Sequence, residues 1–153
     1  KMRKNFFDRI AEVLAVLILL AATIFVMVNW KDMPEQIPSH YDFKGHVDAY
    51  GGRGSLIFTM VMGWILVLTM IVISRFPSAW NTGVERTPAN AAVVNRIIKD
   101  MLNVLEVGMA ILFSYMMIVP AMGIAMGVWF MPVFLIIIFG TIIITVVRLI
   151  RNR

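Results

Sequence analysis

VGMAILFSYMMIVPAMGIAMGVWFMPVFLIIIFGTIIITVV, from Val107 to Val147, is forty-one residues without one Asp, Glu, Lys, Arg or His. A bilayer core about 30 Å thick is crossed by roughly 20 apolar helical residues. The stretch therefore holds two crossings, and Pro120, Gly123, Gly127 and Pro132 supply the place to turn between them. No soluble core helix needs such a run. Lipid is the solvent against which the rest of the chain is read.

Composition points the same way. Of 153 residues, 60% are hydrophobic and only 15% charged, against roughly 25% charged in soluble domains. A chain of this size leaves too much surface exposed to hide that apolar excess in a soluble core. The absence of cysteine excludes disulfides, thiol catalysis and thiolate metal sites. The net charge of +5 comes from residues at span ends and not on one soluble face, so no nucleic-acid partner is expected. There is no Gly-x-Ser-x-Gly elbow, no His-Glu-x-x-His helix and no phosphate-cradling loop, so neither an enzyme nor a cofactor is expected. Met116, Met117, Met122, Met126 and Met131 gather near one end of the third span. Thioethers suit copper(I), but methionine is also an ordinary flexible filler, and no histidine or cysteine stands beside this group.

Two earlier apolar runs complete the count. The spacing predicts four spans at about 10–29, 55–74, 101–120 and 129–147, in a single domain over 1–153. The first run follows Lys1, Arg3, Lys4 and Arg9 like the start of a signal peptide, but it ends in Val28-Asn29-Trp30, an interfacial anchor and a poor cleavage site. It is read as a retained span. Direction follows from the Lys and Arg in the flanks. Lys1, Arg3, Lys4, Arg9, Arg75, Arg86, Arg96, Lys99, Arg148, Arg151 and Arg153 fall on one side, and Lys31, Lys44 and Arg53 on the other. The expected fold is an all-α integral membrane protein, a four-transmembrane-helix bundle with both termini and loop 75–100 cytoplasmic. Loop 30–54 and the turn at 120–132 then face outside. Trp30, Tyr50 and Trp129 near the outer interface agree with this. Gly63 and Gly108 are candidates for close helix approach.

The outer loop is too rich to be a plain connection. Met33 to Arg53 contains two prolines, five aromatic or imidazole rings, three carboxylates and three glycines. Gly45 permits a positive-φ turn, and Asp42 and Asp48 are placed to close Asx turns beside the glycines. A structured loop packed on the helix ends is expected. His40-x-Asp42 and His46-x-Asp48 place two imidazoles and two carboxylates within nine residues, a donor set suited to zinc. The alternative is that His40 and Asp48 organise the loop by hydrogen bonding. That organising role is the expectation, with no metal.

The pattern Pro34-x-x-Ile37-Pro38-x-His40-Tyr41-Asp42-x-x-Gly45-x-x-Asp48-x-Tyr50-x-x-Arg53 resembles a bacterial membrane family of unknown function. Its domain also forms the N-terminal part of SdpI-type toxin-immunity proteins. The lysine that usually closes the pattern is Arg53 here, and Pro77-x-x-x-Asn81 and Thr87-x-x-Asn90 resemble the segment before the family's third helix. The resemblance implies a multi-pass protein of the bacterial cytoplasmic membrane. It also implies toxin immunity, or sequestration of a repressor at the membrane. SdpI-type proteins carry a second multi-span half, where four crossings are read here.

On the third helix, Thr87-Pro88 reads as an N-cap followed by a first-turn proline. Asn95, Lys99 and Asn103 recur at i, i+4 spacing, with Glu106 three residues on along the same face. Two placements stay open. The expectation taken here is an amphipathic segment in the cytoplasmic interface that then dips into the bilayer. The other puts Glu106 inside the bundle, where ionisable residues are costly and often functional. Two functions follow. One is a non-enzymatic membrane protein that binds a peptide toxin or envelope ligand outside, or a cytoplasmic regulator. The other is a small transporter or envelope-lipid-handling protein with Glu106 on its polar route. Self-association is left open by both.

Overall fold

The computed structural model describes residues 5–42 and 44–152, so Lys1, Arg3, Lys4 and Arg153 of the charge count and Phe43 of the loop lie outside the described residues. Four helices carry most of the chain: α1 (Phe6–Asn29), α2 (Gly54–Ile73), α3 (Ala91–Ala121) and α4 (Phe130–Arg151). Each is long and apolar enough to cross a bilayer, which makes this a multi-pass membrane protein. Between α1 and α2 the chain adds something the helical class did not name. β1 (Gln36–Tyr41) and β2 (Val47–Gly52) pair as an antiparallel hairpin.

Three spans lie within a few residues of the expected limits, and α3 does not. It starts at Ala91 and runs unbroken for 31 residues, about 46 Å at 1.5 Å per residue. The expected amphipathic segment and the third span are therefore one continuous helix. The reason is local: no proline or glycine interrupts the sequence between Ala91 and Val107. Thr87 acts one turn ahead of the helix. Its N–H donates to Asn90 Oδ1 at 2.8 Å, and the Asn90 N–H donates to Thr87 Oγ1 at 3.3 Å. At the far end Gly123, at φ +69°, stops the helix. Gly123 N–H donates to the Pro120 carbonyl (2.9 Å) and Ile124 N–H to that of Val119 (3.3 Å), a Schellman pair.

α1 leans chiefly on α3. Its buried residues are Asp8, Glu12, Ala15, Leu19, Ala22 and Val26, a seam repeating every three to four positions. The alanines let the backbones approach, as lipid-embedded helices require. The facing seam of α3 includes Lys99, Glu106, Ala110, Ser114 and Met117. The two helices run parallel: Asn103 reaches Asp8, and Ser114 Oγ donates to the Ile18 carbonyl at 3.3 Å. α2 packs on α3 at Gly63, where a Cβ would stand 2.9 Å from Phe113 Cβ. Gly108 has nothing within 4 Å, so the close approach expected there is not made. α4 sits on α3, with Tyr115 stacked on Phe130 at 4.0 Å.

These contacts sort the ends of the bundle. The start of α1, the start of α3 and the end of α4 meet through Asp8, Arg96, Asp100 and Arg148. The hairpin and the 122–129 turn share the other end. A Cβ on Gly45 would lie 2.6 Å from Met126 O, and one on Gly123 would lie 3.8 Å from Pro34 Cγ.

Candidate functional site

Two regions concentrate polar chemistry, one at each end of the bundle. The hairpin is the first. Ile37 is fully buried and joins Met33, Met117 and Ala121 in the core, so β1 is anchored from below. Arg53 closes the loop from the side: Nε donates to the Pro34 carbonyl at 3.0 Å and Nη1 to that of Trp30 at 3.1 Å. The planar fork reaches both carbonyls together, which a single ammonium cannot match.

The tip is an Asx turn built on Asp42. Its Oδ1 accepts the N–H groups of Lys44 and His46, both at 2.8 Å, and Gly45 sits at φ +81°. The His46 N–H, with that of Lys44, holds the Asp42 carboxyl below its ordinary value. His40 Nδ1 and Asp48 Oδ1 meet across the strands at 2.6 Å, so Asp48 pairs with a side chain where an Asx turn was expected. The four candidate zinc ligands divide into two pairs, His40–Asp48 and His46–Asp42, both solvent-exposed. Among the described residues no three His, Asp or Glu side chains are grouped to hold a metal ion.

The aromatic rings differ in access. Tyr50 is 64% exposed, whereas Tyr41 is half-buried, its hydroxyl shielded without a hydrogen bond to any described residue. Burial pushes that hydroxyl up to about 12. Pro34 is exposed and Pro38 buried, which fixes the path of the first strand into the membrane end. The methionines do not converge: Met117 is buried in the core, while Met122 and Met131 are exposed.

The second region lies between α1 and α3. Asp8 is completely buried and accepts from Arg96 Nη1 (3.0 Å), Arg96 Nη2 (2.6 Å), Asn103 Nδ2 (2.8 Å) and the Asn5 N–H (2.9 Å). Arg96 Nε also donates to Asp100 at 2.7 Å, and Arg148 reaches the other Asp100 oxygen at 3.2 Å. One layer deeper, the fully buried Lys99 donates to Glu12 Oε1 at 3.2 Å and Ser74 Oγ at 2.8 Å. The Ser74 hydroxyl gives its own proton to the Ile71 carbonyl, so it can only accept from Lys99. Glu106, fully buried, stands two turns beyond Lys99 on the same face.

Of the four polar residues expected on α3, Lys99, Asn103 and Glu106 face the bundle, and Asn95 instead accepts from Arg86 at 3.3 Å. Sequence reading missed Asp8 and Glu12. The available signal was a carboxylate at Glu12, inside an apolar run and four residues after Asp8.

No curated protein and no solved structure matches the chain. A family match exists for a continuous segment that begins in α1, takes in the whole hairpin and ends at Gly63, leaving the Lys99 cluster outside it. The chain thus carries, over residues 17–63, a domain of unknown function (DUF1648).

Proposed function

We propose that this is a non-enzymatic protein of the bacterial cytoplasmic membrane that acts by binding, in an immunity, sensing or regulatory role like that of SdpI-type proteins. Both termini lie in the cytoplasm, and the hairpin is its outward recognition surface. One observation carries the reading. The hairpin is fixed at its base by Ile37 and Arg53 and at its tip by Gly45 against Met126, yet it presents Tyr50 to solvent. A preorganised scaffold with an exposed aromatic ring is what a binding surface needs, because little ordering entropy remains to be lost. The family match supports it by centring on the same segment. Orientation is supported by the excess of Lys and Arg at the termini end.

The test has two parts. Single cysteines at Ser39 and Ser78 should label from opposite faces of intact cells with an impermeant reagent. Cells lacking the protein should be more sensitive to a peptide toxin and be rescued by the wild type and Tyr41→Phe, but not by Tyr50→Ala at normal abundance. Full rescue by Tyr50→Ala with failure of Glu106→Gln would overturn the reading in favour of transport. The buried Lys99 cluster is the observation on the transport side, since ionisable groups inside membrane bundles commonly mark ion pathways.

A further inference from the structure

The backbone of the hairpin is satisfied on one side only. In an antiparallel pair, alternate residues of each strand turn their N–H and C=O groups toward the partner, and the others turn them away. β1 and β2 make a sheet of two strands, so each has an outward row. The two rows differ. β1 lies on the bundle: Ile37 and Pro38 are buried, Ile37 joins Met117 and Ala121 in the core, and Pro38 has no N–H to offer. β2 is open. Asp48, Ala49, Tyr50 and Gly52 are exposed, and among the described residues the backbone groups of 47–51 bond to nothing but β1. Ser55 Oγ donates to the Gly52 carbonyl at 3.0 Å and closes the row where α2 begins.

Open edges are ordinarily guarded by lysine, proline or a bulge. On β2 the register slips at Asp48, whose carboxylate is engaged by His40 at 2.6 Å, and the run 49–52 beyond it has none of these guards. Its side chains leave room: Ala49 is small, and a Cβ on Gly52 would meet nothing within 4 Å. A neighbouring backbone can therefore come to the strand spacing of about 4.8 Å. Tyr50, 64% exposed, is the one large side chain in the run. Arg53 and the tip already hold the edge in strand form, so a partner loses little in ordering it. The partner must offer alternating donors and acceptors, which only extended chain does, and the run carries no charge for it to match. A second copy docking by this edge would meet it over four residues, against about 20–30 residues a side in a stable dimer. A short linear peptide needs only the main-chain ladder and a side-chain contact.

We propose that the free edge of β2 takes an extended, uncharged peptide segment as a third strand, with Tyr50 gripping one of its apolar side chains. This rests on the hairpin being a recognition surface and names the class of ligand, a linear peptide in β conformation. The backbone supplies the affinity, and Tyr50 supplies the preference for an apolar residue at one position.

The full chain in lipid nanodiscs, with hydrogen exchange followed amide by amide, tests this. The probe is a short synthetic peptide alternating threonine and valine around one phenylalanine. Its control is the same peptide N-methylated throughout, which has no donor. Excess probe should slow exchange at alternate amides of 49–52 roughly tenfold and leave the helices unchanged, and the control should do neither. Tyr50→Ala should keep the pattern of protection but bind roughly thirtyfold more weakly, as expected for loss of an anchoring ring. No protection by the probe, or equal protection by the control, overturns strand addition. Protection of the same amides without probe, growing with the ratio of protein to lipid, also overturns it by giving the edge to a second copy. In each of these cases recognition by the hairpin is judged separately, by the rescue of cells with Tyr50→Ala. The wild-type measurements decide alone if Tyr50→Ala differs from wild type by circular dichroism.

Discussion

Replacing Arg96 by alanine removes the pairing that holds α1 to α3 at the termini end. The guanidinium meets both oxygens of Asp8, whose side chain is wholly shielded while that of Arg96 is 31% exposed. Removing one partner of a buried pair costs about 3–5 kcal/mol, since it leaves a charge uncompensated. Two features place this case at the low end. Asp8 keeps the Asn5 N–H and the Asn103 amide, and the exposure of Arg96 lets solvent screen the attraction. The expected loss is about 3 kcal/mol, roughly a hundredfold in the ratio of folded to unfolded protein. Asp8→Ala leaves Arg96 on Asp100 and should cost somewhat less, about 2 kcal/mol. The double variant should cost about 3 kcal/mol in total, so the coupling is about 2 kcal/mol. Reversible unfolding in mixed micelles, followed by tryptophan fluorescence, measures all three. Additivity of the single variants to within about 0.5 kcal/mol would refute the reasoning, since independent sites behave that way.

Arg53→Lys should lose one of the two carbonyl contacts at the base of the hairpin, worth about 1 kcal/mol, and speed proteolysis between Met33 and Gly54 roughly fivefold. His40→Ala, which breaks an exposed pair, should do less than this. Gly45→Ala places a side chain at φ +81° and against Met126 O. It should cost more than about 1 kcal/mol and lift the tip, seen as faster amide exchange at His46. The sign of the acid response follows from Asp42. Its folded value is depressed, so its contribution is complete above the ordinary value of 3.8 and is lost as pH falls through the folded value. Exchange protection of the His46 amide should therefore hold from neutrality down to that value and decline below it, and Asp42→Asn should abolish the decline.

The helices were legible because lipid leaves the chain little choice: every backbone group in the hydrocarbon must be satisfied within its own segment. Asp42 and Gly45 were legible as a turn because both act locally, over a few residues. Strand pairing was not, because it depends on Arg53 reaching back to Trp30 and on the tip resting against Met126, both distant in sequence. What α3 did not show locally is that Lys99 and Asn103 turn toward α1, because their acceptors Glu12 and Asp8 lie in a distant segment. Asp8 and Glu12 were missed for a related reason. Charges at the head of an apolar run read as topology signals, and the partner that makes Glu12 intelligible lies 87 residues away.

That separation bears on how the protein is made. α1 has its main partner in α3, and the hairpin and α2 must be synthesised between them. At about 5–20 residues per second, Lys99 leaves the ribosome roughly 4–17 s after Glu12. Throughout that interval the first segment is in or near the insertion machinery before Lys99 and Asn103, its donors on α3, have been made. The α1–α3 seam can therefore close only after the hairpin and α2 have been made, so the packing of the first segment lags its own synthesis by the time needed to make its partner.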